Sequence, residues 1–316
     1  MKVLKILKKI LDKDKRFLYL DSKGFFKNMD DKKYLEKKFN AITGLKLNLN
    51  NPKTFNEKLQ WLKLYDRKKI YTKMVDKYEA KQYVKSIIGN QYIIPTIGVW
   101  NSFEEIDFDK LPDQFVLKCT HDSGGLVICN KKSEINIKEV EKKLNKSLNN
   151  NYYYKGREWP YKNIKPRIIA EKLMVDKNVI ENKFESSGLI DYKFYCFNGQ
   201  PKFLYVGYAN IVNDVKKDML SFYDLNWKKA PFYRQDYEEL NFNPVKPEKF
   251  NEMITIAKKL SKDVPFLRVD LYYIDGNIYF SELTFFPGSG YGIFSPSEWE
   301  LKIGEWIDLP ENEVKI

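Results

Sequence analysis

Helices and antiparallel β-hairpins alternate along this chain without a regular strand–helix–strand rhythm, and that order predicts an α+β fold. Three observations carry the prediction. Asn198-Gly199 and Asp275-Gly276 each join two β-prone runs, and these dipeptides are the strongest short-range hairpin signals. Stretches such as 133–148 and 246–261 carry apolar residues at helical spacing. No internal repeat is evident, which sets aside solenoids and propellers.

Taken in order, residues 1–16 place Val3, Leu4, Ile6, Leu7, Ile10 and Leu11 at helical spacing, with Lys2, Lys5, Lys8, Lys9 and Lys13 between them. This reads as a basic amphipathic helix, suited either to an anionic lipid surface or to packing on protein. Residues 17–75 read as mostly helical. Thr54 followed by Glu57 fits a capping box, and Leu59, Trp61 and Leu62 supply an apolar face behind it. Residues 75–95 read as a helix ending near Gly89, then a short strand before Pro95. In 114–130, FVLK and LVIC form the arms of a hairpin around HDSGG. A helix spans 133–148. The tract 149–166 mixes polar, aromatic and Pro residues without a period and reads as a loop. Residues 167–174 form a strand, 191–208 a hairpin, SFYDLNW a further strand and turn, 246–261 a helix and 266–290 a second hairpin. No regular element is expected over 291–310.

Composition narrows the function. The 316 residues are 43% hydrophobic and 16% aromatic, enough for real cores, so disorder is excluded as the main state. No apolar run is long enough to cross a bilayer. The three cysteines, Cys119, Cys129 and Cys196, include no CxxC pair, and His121 is the single histidine, which disfavours a disulfide scaffold and excludes a His-rich metal site. The N-terminus lacks a signal-peptide pattern, so the expected location is the cytoplasm. The net charge of +12 fits a nucleotide, an acidic polymer or an anionic membrane face. No nucleic-acid motif accompanies it.

Four groups of residues carry candidate chemistry. At the HDSGG tip, Gly124 and Gly125 let backbone N–H groups close on an anion, Ser123 adds a hydroxyl, and Lys118 at the end of the preceding strand aims a cation at the same place. Many hairpins turn on Ser-Gly-Gly, so alone this says little. Asp270 and Glu282 lie on the two arms of one hairpin, inside apolar strands where an unpaired carboxylate is costly. Either a divalent cation shared with substrate phosphates or pairing with Arg268 or a lysine would remove that cost. Asp191 and Lys193 share one strand face, as a salt-bridge row or a phosphate contact. Glu171 closes an apolar strand, where it either accepts a hydrogen bond from a base amine or is merely solvated. His121 with Cys119, Asp122 and Ser123 does not make a catalytic triad, because such triads assemble from distant positions.

The order FVLK…SGG, IIAE, DYK, RVD…ELTFFPG resembles the ATP-grasp superfamily. Arg268, Asp270, Glu282, Pro287 and Gly288 match its R-x-D and E-x-N-T-x-P-G pattern, with Thr284 in the Asn position. Over roughly 55–310, NEKLQWLKLYDR, FVLKCTHDSGG, DYKFYCFNG and ELTFFPGSG are similar to the TupA-like branch found in cell-surface polysaccharide loci. The resemblance implies two α+β lobes with antiparallel sheets, 75–175 and 176–316, gripping ATP, preceded by a helical N-terminal segment, 1–74. It implies Lys77 and Lys118 on the phosphates, and Ser123, Gly124 and Gly125 as a flap over them. Glu171, Lys172 and Leu173 would bind adenine, with Asp191 near the phosphates. Asp270 and Glu282 would hold Mg²⁺, and Arg268 and Lys193 would act at the reacting centre. The implied reaction is ATP-dependent joining of a carboxylate to an amine through an acyl phosphate. The implied substrates are an amino acid or peptide and a uronic acid of a surface polymer. The first 50 residues lie outside the resemblance; it is the basic helix 1–16 that would let a cytoplasmic protein rest on the inner membrane face. A phosphotransferase or a nucleotide-sugar glycosyltransferase of the same pathway is the alternative.

Overall fold

The computed structural model describes residues 12–122, 124–176, 189–212 and 215–311. Ser123 and most of the basic stretch 1–16 therefore lie outside the described residues. The N-terminal part is helical: α1 (Lys13–Ser22), α2 (Asp31–Thr43), α3 (Phe55–Tyr65), α4 (Lys69–Val75) and α5 (Glu79–Ile88). The capping box forms at α3. Glu57 donates its N–H to Thr54 Oγ1 at 3.2 Å, and Thr54 returns its own to Glu57 Oε2 at 3.0 Å. After α5 the expected short strand shrinks to one bridge, Ile93 to Phe280, and β1 (Thr96–Trp100) begins beyond Pro95. Proline has no N–H to donate to a ladder, which delays the strand.

Two antiparallel sheets follow. The smaller holds β1, β2 (Phe115–Cys119), β3 (Leu126–Cys129) and β4 (Ile168–Lys172) in the order β1-β4-β2-β3. Its inner face carries Phe115, Leu117, Cys119, Ile168 and Ala170, which pack with Val140 and Leu144 of α6 (Ile137–Leu148). Strand alternation and register put Val116, Lys118, Leu126, Ile128 and Glu171 together on the other face. The larger sheet holds β5 (Asp191–Phe197), β6 (Gln200–Val212), β7 (Val215–Asp224), β9 (Phe266–Ile274) and β10 (Asn277–Thr284), ordered β10-β9-β5-β6-β7. Its turns at Asn198-Gly199 and Asp275-Gly276 have φ of 48°, 76°, 47° and 76°, the left-handed pair that such hairpins require. One core joins this sheet to α8 (Phe250–Leu260) and to the N-terminal helices through residues such as Tyr34, Leu59, Phe194, Met253 and Leu267. No described helix is long and apolar enough to cross a membrane.

Two expectations are corrected. The tract 149–166 is a fastened segment with a helical turn, α7 (Tyr153–Gly156), and a second turn at Trp159–Tyr161. Tyr153, Arg157 and Glu158 are all buried there. It shows no period because distant groups hold it: Tyr153 Oη donates to Asp31 Oδ2 at 2.6 Å and Arg157 reaches back to residues 26–31. The region 291–310 contains β11 (Phe294–Ser295), which pairs with β8 (Tyr233–Arg234), and α9 (Glu298–Glu305). Gly304 sits inside α9, so local propensity hides the helix. A Cβ at Gly304 would stand 2.2 Å from the Lys53 carbonyl oxygen, so glycine is what lets α9 dock on the start of α3.

Candidate active site

The large sheet brings most of the predicted charged residues together by register alone. Lys193 on β5 faces Asp270 on β9, and Asp270 faces Glu282 on β10. Asp270 is fully buried. Arg268 grips it with two hydrogen bonds, Nε to Oδ1 at 2.7 Å and Nη2 to Oδ2 at 2.6 Å. Arg268 Nη2 also donates to Glu282 Oε1 at 2.9 Å and Thr284 Oγ1 at 3.0 Å. Lys193 Nζ lies 2.8 Å from Asp270 Oδ2 and 3.3 Å from Asp191 Oδ1. Both alternatives for the carboxylate pair thus bear on one geometry: Arg268 and Lys193 pair with the acids, and Glu282 still faces a cavity.

That cavity measures about 530 Å³. Asp191, Lys193, Arg268, Glu282 and Thr284 line its floor. Tyr205, Gly207, Met219 and Leu220 of β6 and β7 make one wall, Tyr152, Glu158 and Tyr161 the other, and Phe286, Gly288 and Ser289 one end. Burial pushes Asp270 up to about 6, against the pull of Arg268 and Lys193. Burial also opposes the charge on Glu282, but Lys193, Arg268 and Lys77 outweigh it and hold this carboxyl down at about 2. Lys193 is held above its ordinary value, because Asp191 and Asp270 overcome its burial.

The small sheet supplies a second cluster, none of whose members lines that cavity. Glu171, expected at a solvated strand end or against a base, is buried between Lys118, at 2.6 Å from its Oε2, and Lys81. Lys172 spends its N–H on the Pro95 carbonyl at 3.0 Å, and Leu173 follows the end of β4. At the β2–β3 tip, Gly125 N–H donates to Asp122 Oδ1 at 3.1 Å, Gly124 is exposed, and Lys77 Nζ donates to the Asp122 carbonyl. Lys77 links the two clusters. Burial lowers its affinity for a proton, while Glu282 and Asp122 act against that and Lys118 adds to it. His121 is structural: its Nε2 lies 3.1 Å and 3.0 Å from the carbonyls of Ser147 and Asn150.

Among the described residues no group of three or more His, Cys, Asp and Glu forms a metal cage. Asp270 and Glu282 are adjacent carboxylates of the kind that bind Mg²⁺ together with phosphate oxygens, but only Glu282 lines the cavity; both oxygens of Asp270 are held by Arg268 and Lys193 and would have to be released to reach an ion. Missing from the sequence reading are Lys63, Lys81, Glu158, Tyr161, Tyr205 and Ser289. The charge of Lys81 facing Glu171 follows no local pattern; Ser289 lay within the FFPGSG segment already singled out.

One consequence is measurable in acid. Burial opposes the charge on Glu171, yet Lys118 and Lys81 hold its carboxyl below the ordinary 4.5. A depressed folded value means that the paired state contributes stability above the unfolded value and loses it as pH falls through the folded one. Glu171→Gln is expected to lower the unfolding free energy by about 3–5 kcal/mol at neutral pH, because two lysines lose their buried counterion. The deficit should shrink below pH 4.5 in urea titrations, and a pH-independent deficit would count against the assignment.

A family model described as TupA-like ATPgrasp matches residues 57–308. Among solved structures, the chain is similar to D-alanine–D-alanine ligase from Bacillus anthracis complexed with ATP, at 16% identity and TM-score 0.37, over 67% of this chain and 53% of that one. It is similar to the ATP-grasp ligase PsnB complexed with a phosphomimetic variant of its minimal precursor, Mg and ADP, at 11% identity and TM-score 0.40, over 92% and 70%. A RimK domain ATP-grasp protein from Sphaerobacter thermophilus gives 8% identity and TM-score 0.39, over 75% and 69%. The chain spans 53–59% of the length of the D-alanine–D-alanine ligases from Bacillus anthracis. No curated protein matches it. With the family model covering most of its length, and with antiparallel sheets carrying the R-x-D and E-x-x-x-x-P-G residues side by side, the chain belongs to the TupA-like ATP-grasp family.

Proposed function

We propose that this protein is an ATP- and Mg²⁺-dependent, ADP-forming ligase that joins a carboxylate to an amine. The observation that carries this reading is the cross-strand trio Lys193–Asp270–Glu282, clamped by Arg268, with Lys193, Arg268 and Glu282 at the floor of the cavity and Asp270 buried behind them. On this reading the nucleotide lies against the outer face of the small sheet. Leu126 and Ile128, 42% and 54% exposed, offer an apolar strip for the base beside Lys118. Lys118 and Lys77 meet the phosphates, Glu171 positions the two lysines around it, and the Gly124–Gly125 tip covers the phosphates. Asp270 and Glu282 are the residues that would hold Mg²⁺, which when bound neutralises charge on the transferred phosphoryl group.

The chain's own residues then orient and exclude water. Arg268 and Lys193 present cationic edges to the substrate carboxylate, whose oxygen attacks the γ-phosphorus as the bond to ADP breaks. Both cations are already fixed by Asp270, so little reorganisation is needed as charge moves. The cavity walls shield the acyl phosphate from hydrolysis until an amine displaces phosphate. The basic surface and the tyrosine-lined cavity support an acidic saccharide, such as a uronic acid of a cell-surface polymer, as the carboxylate substrate, and an amino acid or peptide as the amine. The lysines of residues 1–16 support work at the inner membrane face.

ADP release, measured with Mg²⁺ against a panel of amino acids and uronic acids, tests the reading. Asp270→Asn and Glu282→Gln are each expected to reduce ADP release by roughly 10²–10³-fold, the scale of losing electrostatic stabilisation of the transition state. Near-normal turnover in both would remove the metal assignment. ADP formed equally well without any amine, with a stable phosphorylated product, would replace the ligase by a phosphotransferase.

A further inference from the structure

The same cavity is lined by an acid with which no cation forms an ion pair among the described residues. Glu158 is 5% exposed and lines the cavity, yet among the described residues no lysine or arginine forms an ion pair with it. Its partner is Ser289. The nearest cation stops one residue short: Lys63 Nζ, fully buried, donates to Ser289 O at 2.8 Å and Ser289 Oγ at 3.2 Å. Burial pushes the Glu158 carboxyl up and Lys63 down to about 7, and each charge acts against the other's shift without an ion-pair contact between them. The other groups bearing on Glu158 are Lys38 and Glu282.

Its placement is rigid. Arg157, at φ 55°, is pinned through Nη2 to the carbonyls of Phe26, Lys27 and Met29, and Glu158 follows immediately. The Glu158 carbonyl accepts from Tyr161 N–H at 3.1 Å. The cavity lining is therefore polar at two places, with Arg268 and Lys193 on the floor and Glu158 in the stretch that also supplies Tyr152 and Tyr161, whose rings pack on each other at 4.9 Å between centroids. A buried acid facing an opening without a cation is paid a large penalty unless a ligand supplies one. Aromatic faces beside it suit a desolvated ammonium group.

We propose that Glu158 forms the subsite for the ammonium group of the amine substrate and accepts its proton as the amine attacks. This rests on the ligase reading and assigns the amine end of the cavity. In the step, the ammonium gives one proton to the Glu158 carboxylate. The freed nitrogen pair forms the C–N bond, the C–O bond to phosphate breaks with its electrons going to phosphate, and the second nitrogen proton leaves with that phosphate.

The test compares wild type, Glu158→Gln and Glu158→Asp in ADP release with a uronic-acid panel as the carboxylate and two kinds of nucleophile, an amino-acid panel and hydroxylamine. Hydroxylamine is uncharged at neutral pH and needs no acid to bind or deprotonate it. Glu158→Gln should raise the amino-acid KM roughly 10–100-fold, the loss of a hydrogen bond to a charged group. Hydroxamate formation should stay within about twofold of wild type, because the first half-reaction is untouched. Glu158→Asp should recover part of the amino-acid activity. An unchanged amino-acid KM overturns the proposal. So does an equal loss with hydroxylamine, which would make Glu158 a strut for the Lys63–Ser289 turn. If wild type releases no ADP with either nucleophile, the ligase reading has failed and the subsite falls with it.

Discussion

Arg268→Met is expected to abolish ADP release and to lower the unfolding free energy by about 3–5 kcal/mol, the scale of removing one partner from a buried ion pair. The guanidinium makes two bonds to a carboxylate with no exposed surface and one each to Glu282 and Thr284. Without it Asp270 keeps only Lys193, and Glu282 stands beside it across the strand pair. Two adjacent acids cannot both stay charged without compensation, so Asp270, already pushed up to about 6, takes a proton at neutral pH. A protonated Asp270 is a poor ligand for Mg²⁺. Lysine should not rescue, because its ammonium cannot span Asp270, Glu282 and Thr284 as the planar fork does. Urea unfolding and ADP release on the same preparations check both parts. A variant within about 1 kcal/mol of wild type would show that the clamp carries little energy.

Arg157→Ala should cost a similar amount, about 3–5 kcal/mol, without touching any residue of the cavity floor. Arg157 is 1% exposed. It satisfies the carbonyls of Phe26, Lys27 and Met29, lies 3.3 Å from Asp31 and covers the ring of Tyr34 at 4.3 Å. Removing it leaves partly buried carbonyls without donors and a void between the N-terminal helices and the 149–166 segment. Hydrogen exchange should rise in α1 and α2 well before it rises in β5 and β9. Uniform loss of protection would mean that the N-terminal helices and the large sheet unfold as one unit.

The hairpins were legible because their information is local. Asn198-Gly199 and Asp275-Gly276 adopt the left-handed backbone their types favour, and the strands on either side alternate. The α3 cap was legible for the same reason, since Thr54 and Glu57 satisfy each other three residues apart. Lys193, Arg268, Asp270 and Glu282 stand out in the chain as charges set in apolar strands. By contrast, α9 hid behind Gly304, whose value lies in contact with Lys53 and Thr54. The 149–166 segment hid because its order comes from Asp31 and the carbonyls of residues 26–29.

The α+β class and the hairpin turns can be read from the chain because they depend on neighbours within a few residues, and the family pattern because its separated motifs keep their order and spacing. Folding alone sets Glu171 between Lys118 and Lys81, closes Arg268 on both acids, and brings Glu158 into the lining of the same cavity as Glu282. Those pairings join residues far apart in the chain, and whether a buried charge meets a partner or an opening depends on how sheets and helices close over it.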